Sequence, residues 1–318
     1  MKEILLFLCS LCIISCSNKD SDVTMGFLIH SLSNARWQAD IKYIENYSKD
    51  KGIHVIVKNA DGNPDLQNEQ AKELIEKEVD VLVIVAANQN TAASIVRKAN
   101  EAEIPIIAYD RLIKNCDLDF LLSFDYVHVG ELMVDYTYRV KPNGSAVLLC
   151  GDANDANAVF VKEGIVSALK SKGNPYNIVF DTFIEDWSYQ NAKYDMQRVF
   201  MGIAEPVDVV IACNIPLAYG ARDAIEEVGF KSSATIITAQ DFSQTLIQSF
   251  KNDEINMSVI KPVKELAHGL VDLVLELTKG GAGININQSV FNGQKNVAAK
   301  LFSPSVIDKS NYHLIMSE

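Results

Sequence analysis

Polar and aromatic side chains follow several apolar runs of this 318-residue chain, at the points where those runs end. In an open α/β sheet, ligands bind outside the carboxyl ends of the strands, so these side chains are candidates for one shared site. Carboxylate and amide oxygens accept hydroxyl protons, Arg and Asn donate to hydroxyl oxygens, and aromatic rings cover apolar C–H faces. Such a set suits a neutral polyol. Its members are Arg36, Trp37, Asn88, Asp110, Arg111, Asp155, Asn157, Trp187, Asn214 and Asp241.

Several of these candidates also have an explanation that involves no ligand. Trp37 could face the core of a lobe. Asn88 and Asn214 could cap helices, and Asp110 and Asp241 could be turn residues. The sequence leaves both explanations open for each of the five.

The elements that would position these side chains are visible as apolar runs alternating with helical patterns from Val23 onward. The run 79–86 is almost continuously Val, Ile and Leu, which is typical of a parallel strand buried on both faces. The segment 36–49 carries Trp37, Ile41 and Ile44 at helical spacing. Alternation of this kind predicts the α/β class, with parallel sheets covered by helices.

The second half of the chain repeats features of the first half in the same order. Val-Asp-Val begins a run at position 79 and again at position 207. The runs 106–108 and 236–238 lead to Asp110 and Asp241, and both Trp37 and Trp187 stand near a helix start after a strand. The repeat predicts two similar, doubly wound lobes.

The first residues predict export and lipid attachment. Met1-Lys2 is followed by an apolar run over 4–14, too short to span a bilayer but suited to a signal peptide. Ile13-Ile14-Ser15-Cys16 then resembles the bacterial lipobox, in which small residues admit the peptidase and the Cys thiol is alkylated. We therefore expect a lipoprotein signal peptide at 1–15, lipidation of Cys16 and a linker at 16–22. The alternative is a signal peptide that merely contains cysteines.

Charge and cysteine content exclude several classes of protein. The formal net charge is -12 and the sequence pI is near 4.9, which disfavours nucleic acid as a partner. Cys116, Cys150 and Cys213 lie far apart with no metal or redox spacing, and Cys150 and Cys213 end apolar runs, as buried cysteines do. Phosphate-loop, nucleophile-elbow and HExxH patterns are absent from the sequence. We expect no metal, no cofactor and no catalytic residue.

The chain resembles the type I periplasmic sugar-binding proteins, and within them the D-xylose-binding group. The resemblance runs from about Val23 to about Lys279. The matching segments are Ala35-Arg36-Trp37-Gln38, Ala60-Asp61-Gly62-Asn63, 79–88, Ala108-Tyr109-Asp110-Arg111, Ser123-Phe124-Asp125, Asp155-Ala156-Asn157-Ala158, Asp186-Trp187, Asn214, Gln240-Asp241 and Lys261-Pro262. Departures occur at Ala86-Ala87, at Ile215-Pro216 and in the loop 30–34, and they bear on which sugar is bound.

The resemblance implies a role for each matching residue and a division of the chain into lobes. Hydrogen bonds to the sugar would come from Arg36, Asp110, Arg111, Asn157, Asn214, Asp241 and Lys261, while Trp37 and Trp187 would stack on it. Two Rossmann-like lobes would be joined by a three-strand hinge, with Lys261 at the hinge. The N-terminal lobe would contain 23–124 and 262–291, and the C-terminal lobe 125–261 and 292–318. Crossings are expected near Phe124-Asp125, Ile260-Lys261 and Phe291-Asn292.

The function implied is that of an extracytoplasmic solute-binding lipoprotein on the periplasmic face of a bacterial membrane. It would bind a monosaccharide, a xylose-like pentose or a related sugar, and present it to the permease of an ABC transporter. The alternative partner is a membrane sensor kinase.

Two other classes of protein are less compatible with the residues. A glycosidase would use carboxylates such as Asp110 and Asp241, but a cationic candidate near each would hold it ionised. A sugar-responsive repressor would begin with a DNA-binding helical module, whereas this chain begins with an export signal.

Overall fold

A computed structural model describes residues 23–33, 35–203, 205–280, 283 and 285–316. The predicted signal peptide, Cys16 and the linker lie outside the described residues. The strands are β1 (Val23–Ile29), β2 (Ile53–Asn59), β3 (Val81–Ile84), β4 (Ile106–Tyr109), β5 (Phe120–Phe124), β6 (Gly144–Cys150), β7 (Tyr176–Phe183), β8 (Val209–Ala212), β9 (Ile236–Gln240), β10 (Met257–Ile260), β11 (Gln288–Phe291), β12 (Asn296–Phe302) and β13 (Ser305–Asp308). The main helices are α1 (Ala35–Asp50), α2 (Pro64–Glu76), α3 (Ala93–Glu101), α4 (Tyr126–Val140), α5 (Ala156–Ser171), α6 (Tyr189–Gly202), α7 (Ile215–Glu227), α8 (Gln244–Lys251) and α9 (Val263–Thr278).

The strands form two sheets, one in each lobe. The first has the order β11-β12-β5-β4-β3-β1-β2 and the second the order β13-β10-β9-β8-β6-β7. The first five strands of each half are parallel and share one order, 2-1-3-4-5, which is a doubly wound arrangement. The predicted α/β class with two doubly wound lobes is confirmed.

The core of each lobe lies on both faces of its sheet. All residues of β3, β4 and β8 are buried, because helices cover these central parallel strands on either side. Cys150 and Cys213 are fully buried free thiols in these cores, as predicted. No helix among the described residues has the length and apolarity needed to cross a membrane.

The Asp of each repeated Val-Asp-Val sequence accepts a backbone hydrogen bond at the same place in its lobe. The Asp80 carboxylate accepts a hydrogen bond of 2.7 Å from the Thr24 N–H at the start of β1. In the second lobe, Asp208 accepts one of 2.8 Å from the Ser145 N–H near the start of β6. Each Asp therefore satisfies a backbone donor at the amino end of the neighbouring strand, the end opposite the predicted site.

Within the described ranges, the chain passes between the lobes at three places. It leaves the first sheet after Phe124, at the end of β5, and returns after Ile260, at the end of β10. The last passage lies between β12, which pairs with β5, and β13, which pairs with β10. The prediction of a crossing near Phe291-Asn292 is wrong, and residues 292–302 belong to the first lobe. The reason is a hairpin turn at Asn292-Gly293, where Gly293 has φ +96° and the chain reverses into the same sheet.

Two glycines bring α4 and α5 of the second lobe into backbone contact. A Cβ added to Gly130 would overlap the Val161 carbonyl oxygen, and one added to Gly164 would overlap the Val127 carbonyl oxygen. Neither neighbour is a flexible side chain, so the helices would have to separate to admit a methyl group.

We expect Gly164→Ala to lower the free energy of unfolding by about 2 kcal/mol, because overpacking forces backbone shifts. Helix propensity alone would favour Ala by about 1 kcal/mol, so a loss isolates the packing effect. Gly202→Ala at the end of α6, where nothing lies within 4 Å of the added Cβ, is the matched control. Urea unfolding followed by circular dichroism measures both; equal stability of the two variants would contradict the helix contact.

Candidate functional site

A polar cavity of about 270 Å³ lies between the lobes at the carboxyl ends of the strands. We call it the central cavity. It brings together the predicted site residues of both lobes, with the exception of Asn88. Its lining consists of His30, Ser33, Arg36, Trp37, Asp110, Arg111, Tyr126, Asp155, Asn157, Asp186, Trp187, Asn214, Gln240, Asp241 and Lys261.

Asp110 and Asp241 occupy corresponding places, each directly after a central strand. Both have left-handed backbones, with φ +66° and +79°, which Asp tolerates better than most residues. Each N–H donates to a carbonyl of the neighbouring strand. The Ser123 hydroxyl donates to the Asp110 carbonyl and the Ser258 hydroxyl to the Asp241 carbonyl, both at 2.6 Å. The two aspartates are therefore turn residues that also line the cavity, so the two explanations hold together.

The Asp110 carboxylate connects the lobes. One oxygen accepts hydrogen bonds from the Tyr126 hydroxyl at 2.6 Å and from the Asn157 amide at 3.1 Å, both in the second lobe. The other oxygen forms an ion pair with Arg36 of the first lobe. Burial by itself would raise the pKa of Asp110, but the charges of Arg36 and Lys261 outweigh it and hold that pKa below its usual value. Asp110 is therefore an acceptor.

A second carboxylate, that of Asp40, also forms an ion pair with Arg36. Asp40, one helical turn along α1, is fully buried, and its Oδ2 lies 3.1 Å from Nε of Arg36. The Tyr109 hydroxyl donates to the other Asp40 oxygen at 2.6 Å. Burial raises the pKa of Asp40 to about 6, against the opposing effect of Arg36. Sequence reasoning missed Asp40, although its i,i+4 spacing from Arg36 was a usable signal.

Lys261 and Asp241 form the corresponding pair on the side of the second lobe. The Lys261 Nζ lies 2.8 Å from an Asp241 oxygen, and its side chain is only 3% exposed. The same ammonium lies 5.2 Å from the centroid of the Tyr126 ring. Lys261 follows β10 directly, where the chain passes back to the first lobe, so a buried cation of the hinge lines the cavity.

Trp37 belongs both to the core and to the cavity lining. It is 6% exposed, its ring meets the edge of the His30 ring at 5.1 Å, and the Arg36 guanidinium lies 4.2 Å from its centroid. His30 was missed by sequence reasoning, although it directly follows β1. Burial, together with the charge of Arg111, lowers the pKa of His30 to about 3, so the imidazole is neutral near pH 7.

Trp187 is presented by a strained loop after β7. Asp186 and Trp187 both have left-handed backbones, with φ +57° and +53°. The Asp186 N–H donates to the Asp152 carboxylate at 2.9 Å, which helps to hold that loop. A Cβ added to Gly151 would overlap the Trp187 ring, so the indole lies directly against the backbone at the end of β6.

The two asparagines differ in position. Asn214 caps α7 by accepting a 2.8 Å hydrogen bond from the Leu217 N–H and also lines the central cavity. Asn88 accepts hydrogen bonds from the N–H groups of Asn90 and Thr91, at 2.9 and 3.1 Å, and lines a neighbouring cavity. Asn88 therefore lines the adjoining cavity and not the central one, and its role in ligand binding stays a prediction.

Further lining residues were not among the predicted ligand-binding set. Gln240 is the last residue of β9, and Tyr126 begins α4 directly after the first crossing, so the strand-end rule applied at every strand would have found Gln240. The same rule would have found Tyr126, which lies two residues after β5, although its bond to Asp110 depends on how the lobes meet.

The electrostatics of the cavity are nearly balanced. The cavity is lined by three cations, Arg36, Arg111 and Lys261. The carboxylates that line it are Asp110, Asp155, Asp186 and Asp241. Arg111 lies 3.7 Å from Asp155. Burial raises the pKa of Asp155, and Arg111 opposes that effect. Within the described ranges, no group of three or more His, Cys, Asp or Glu side chains could hold a metal ion. A small, neutral molecule rich in hydroxyl groups fits these donors and acceptors best.

Comparison with known proteins points in the same direction. The model of a family described as "Periplasmic binding protein domain" matches residues 25–282. The chain is 33% identical to the D-xylose-binding periplasmic protein of Haemophilus influenzae, over 95% of this chain and 91% of that one. It is 31% identical to the D-xylose-binding periplasmic protein of Escherichia coli, over 98% and 94%.

One solved structure resembles this chain in both fold and sequence. An ABC transporter solute binding protein from Clostridium phytofermentans, with bound β-D-glucose, superposes with a TM-score of 0.83 at 25% identity. The match covers 92% of this chain and 96% of that one. The arrangement of two lobes is therefore the one seen in solute-binding proteins.

The buried carboxyl of Asp40 generates a prediction about stability and pH. An unfolded Asp releases its proton near pH 4, whereas folded Asp40 keeps it to about pH 6. The folded state thus binds more protons between these values, and this group's contribution to stability falls by about 3 kcal/mol as pH rises through them. The Asp40→Asn side chain does not titrate in this range. The unfolding free energy of the wild type, less that of the variant, should therefore fall between pH 4 and pH 7. Urea unfolding at each pH tests this; a difference that does not change with pH contradicts the assignment.

Proposed function

The chain belongs to the periplasmic binding protein family, and from this premise we propose that its central cavity holds one monosaccharide, a xylose-like pentose or a related sugar. The observation that carries the proposal is the Asp110 carboxylate, buried between the lobes and bonded to Arg36 of one and to Tyr126 and Asn157 of the other. A sugar hydroxyl can both donate and accept, so it can enter such a network and draw both lobes together.

The proposed contacts follow from the lining of the cavity. Hydrogen bonds to the sugar would come from Arg36, Asp110, Arg111, Asn157, Asn214, Asp241 and Lys261. Trp37 and Trp187 would cover its apolar faces, each contributing on the order of 1 kcal/mol beyond burial. Because the rings come from different lobes, each lobe supplies one aromatic surface.

The protein is a binding protein and not an enzyme, as its family membership establishes. The electrostatics of Asp110 agree with this. Hydrolysis of a glycosidic bond needs a carboxyl that stays protonated and donates its proton, whereas the pKa of Asp110 is held low by cations. The Asp110 carboxylate therefore suits a hydrogen-bond acceptor better than a proton donor.

We further propose that the protein is anchored by lipid at Cys16 on the periplasmic face of the membrane and delivers sugar to the permease of an ABC transporter. Support for the location comes from periplasmic relatives, and support for the partner comes from the ABC transporter solute binding protein that shares the fold. Support for the anchor is the lipobox-like Ile13-Ile14-Ser15-Cys16.

Sugar binding is tested first by calorimetry with the pentose or hexose that most raises the melting temperature. We expect one site per chain at roughly micromolar affinity. Asp241→Asn should weaken binding by about 2–4 kcal/mol, because buried partners such as Lys261 lose their charge pair. Asp253→Asn is a matched control: Asp253 is also left-handed, with φ +58°, and is paired with Lys309 at 2.9 Å, but on the surface. Equal affinity of the two variants, or recovery of chemically altered sugar, would overturn the proposal.

The anchor is tested by fractionation of cells that produce the protein. Cys16→Ala should move the chain from the membrane fraction to the soluble fraction, since one side chain carries the proposed lipid. Labelled palmitate should appear on the wild-type chain and be lost in the variant. A variant that stays in the membrane, with no label ever on the native chain, would refute lipidation at Cys16.

A further inference from the structure

A second cavity of about 280 Å³ adjoins the central cavity between the lobes. We call it the side cavity. Arg111, Asp155, Asp186 and Trp187 line both cavities, so the two spaces meet along these residues. The first-lobe wall of the side cavity is made by the loop after β3, and the second-lobe wall by the segments after β6 and β7. Together the cavities are about twice as large as either one.

Two small residues form part of the first-lobe wall of the side cavity, beside Asn88, Gln89, Arg111 and Leu112. Ala86 and Ala87 line it, where a larger side chain would occupy the space. Arg111 is held back against this wall, since its guanidinium donates to the Ala86 carbonyl at 3.2 Å. A ligand that occupies both cavities would pass beside the ion pair of Arg111 and Asp155, which lines both of them.

The polar groups of the side cavity suit hydroxyls and disfavour anions. Asp152, Asp155 and Asp186 line it together with one cation, Arg111. This excess of carboxylates would repel a phosphate or a uronate. Carboxylates accept from sugar hydroxyls, and the Trp187 indole adds an aromatic surface that both cavities share.

One buried polar atom in this wall lacks a partner. Gln89 is 9% exposed and lines the side cavity, and its Oε1 has no hydrogen-bond donor among the described residues. Its Nε2 donates across the lobes to the Asn154 carbonyl at 2.6 Å. A buried acceptor without a donor is costly, and the Gln89 amide would have to turn toward the cavity for a ligand hydroxyl to supply the missing bond.

We infer that the side cavity is a subsite for a second, neutral sugar unit joined to the sugar in the central cavity. This inference rests on the proposed function, and it extends the ligand class from monosaccharides to short oligosaccharides or neutral glycosides. The first unit lies among Asp110, Asp241 and Lys261, and the second lies between Ala87 and Trp187.

The test compares D-xylose and D-glucose with xylobiose, cellobiose and maltose by calorimetry on the wild-type protein. At least one disaccharide should bind as tightly as its monosaccharide or more tightly. Ala87→Phe, which fills the side cavity, should weaken that disaccharide at least tenfold and change the monosaccharide less than twofold. Ala87→Ser keeps the wall small and should behave as the wild type does. Ala87→Leu should give an intermediate loss, and it replaces the Phe variant if that variant does not fold.

The outcomes separate this inference from the proposed function. Binding of the monosaccharides without any disaccharide overturns the subsite and leaves the proposed function standing. Equal weakening of monosaccharide and disaccharide in Ala87→Phe also overturns the subsite, because the side chain then acts on the central cavity. Failure of every sugar to bind overturns both the subsite and the proposed function.

Discussion

The ion pair between Arg36 and Asp110 is the interaction on which the rest of the site depends. Asp110 is 1% exposed, and burying an unpaired carboxylate would cost several kcal/mol. The structure meets that cost with a cation from α1, a hydroxyl from α4 and an amide from α5. Because those donors come from two lobes, neutralising one charge also determines how the lobes meet.

The same constraint explains the buried groups around the pair. Arg36 carries more hydrogen-bond donors than Asp110 can accept, and Asp40 pairs with its Nε, while the Tyr109 hydroxyl donates to the other oxygen of Asp40. Lys261 and Asp241 provide a second, smaller pair at the hinge. The resulting alternation of charges leaves the cavity polar and close to neutral, which is the environment that an uncharged, hydroxylated ligand requires.

The two lobes carry these parts at corresponding places. Asp80 and Asp208 bond the amino ends of neighbouring strands, while Asp110 and Asp241 stand at the carboxyl ends in the left-handed conformation. Placing two such lobes face to face brings both sets of strand ends to one cavity. The match between the lobes is not complete, because the loop after β3 contributes Ala86 and Ala87 to the lining of the side cavity.

Much of the fold could be predicted from the sequence, since the signals are local. Hydrophobic periodicity located the strands and helices, and the repeated motifs indicated two lobes of one type. The dipeptide Asn292-Gly293 is itself a hairpin signal in the sequence. The third crossing between the lobes could therefore also have been placed correctly from the sequence.

For the candidate site, the sequence by itself determined which residues stand at strand ends, because that position follows from the pattern of each segment alone. Only the tertiary structure decided what those residues contact. Whether Asp110 is an acceptor or an acid depends on Arg36, Tyr126 and Asn157, which are distant along the chain or in the other lobe. Whether Asn88 belongs to the central cavity depends on the course of one loop. Contacts of this kind arise from the packing of two lobes, which no local pattern encodes.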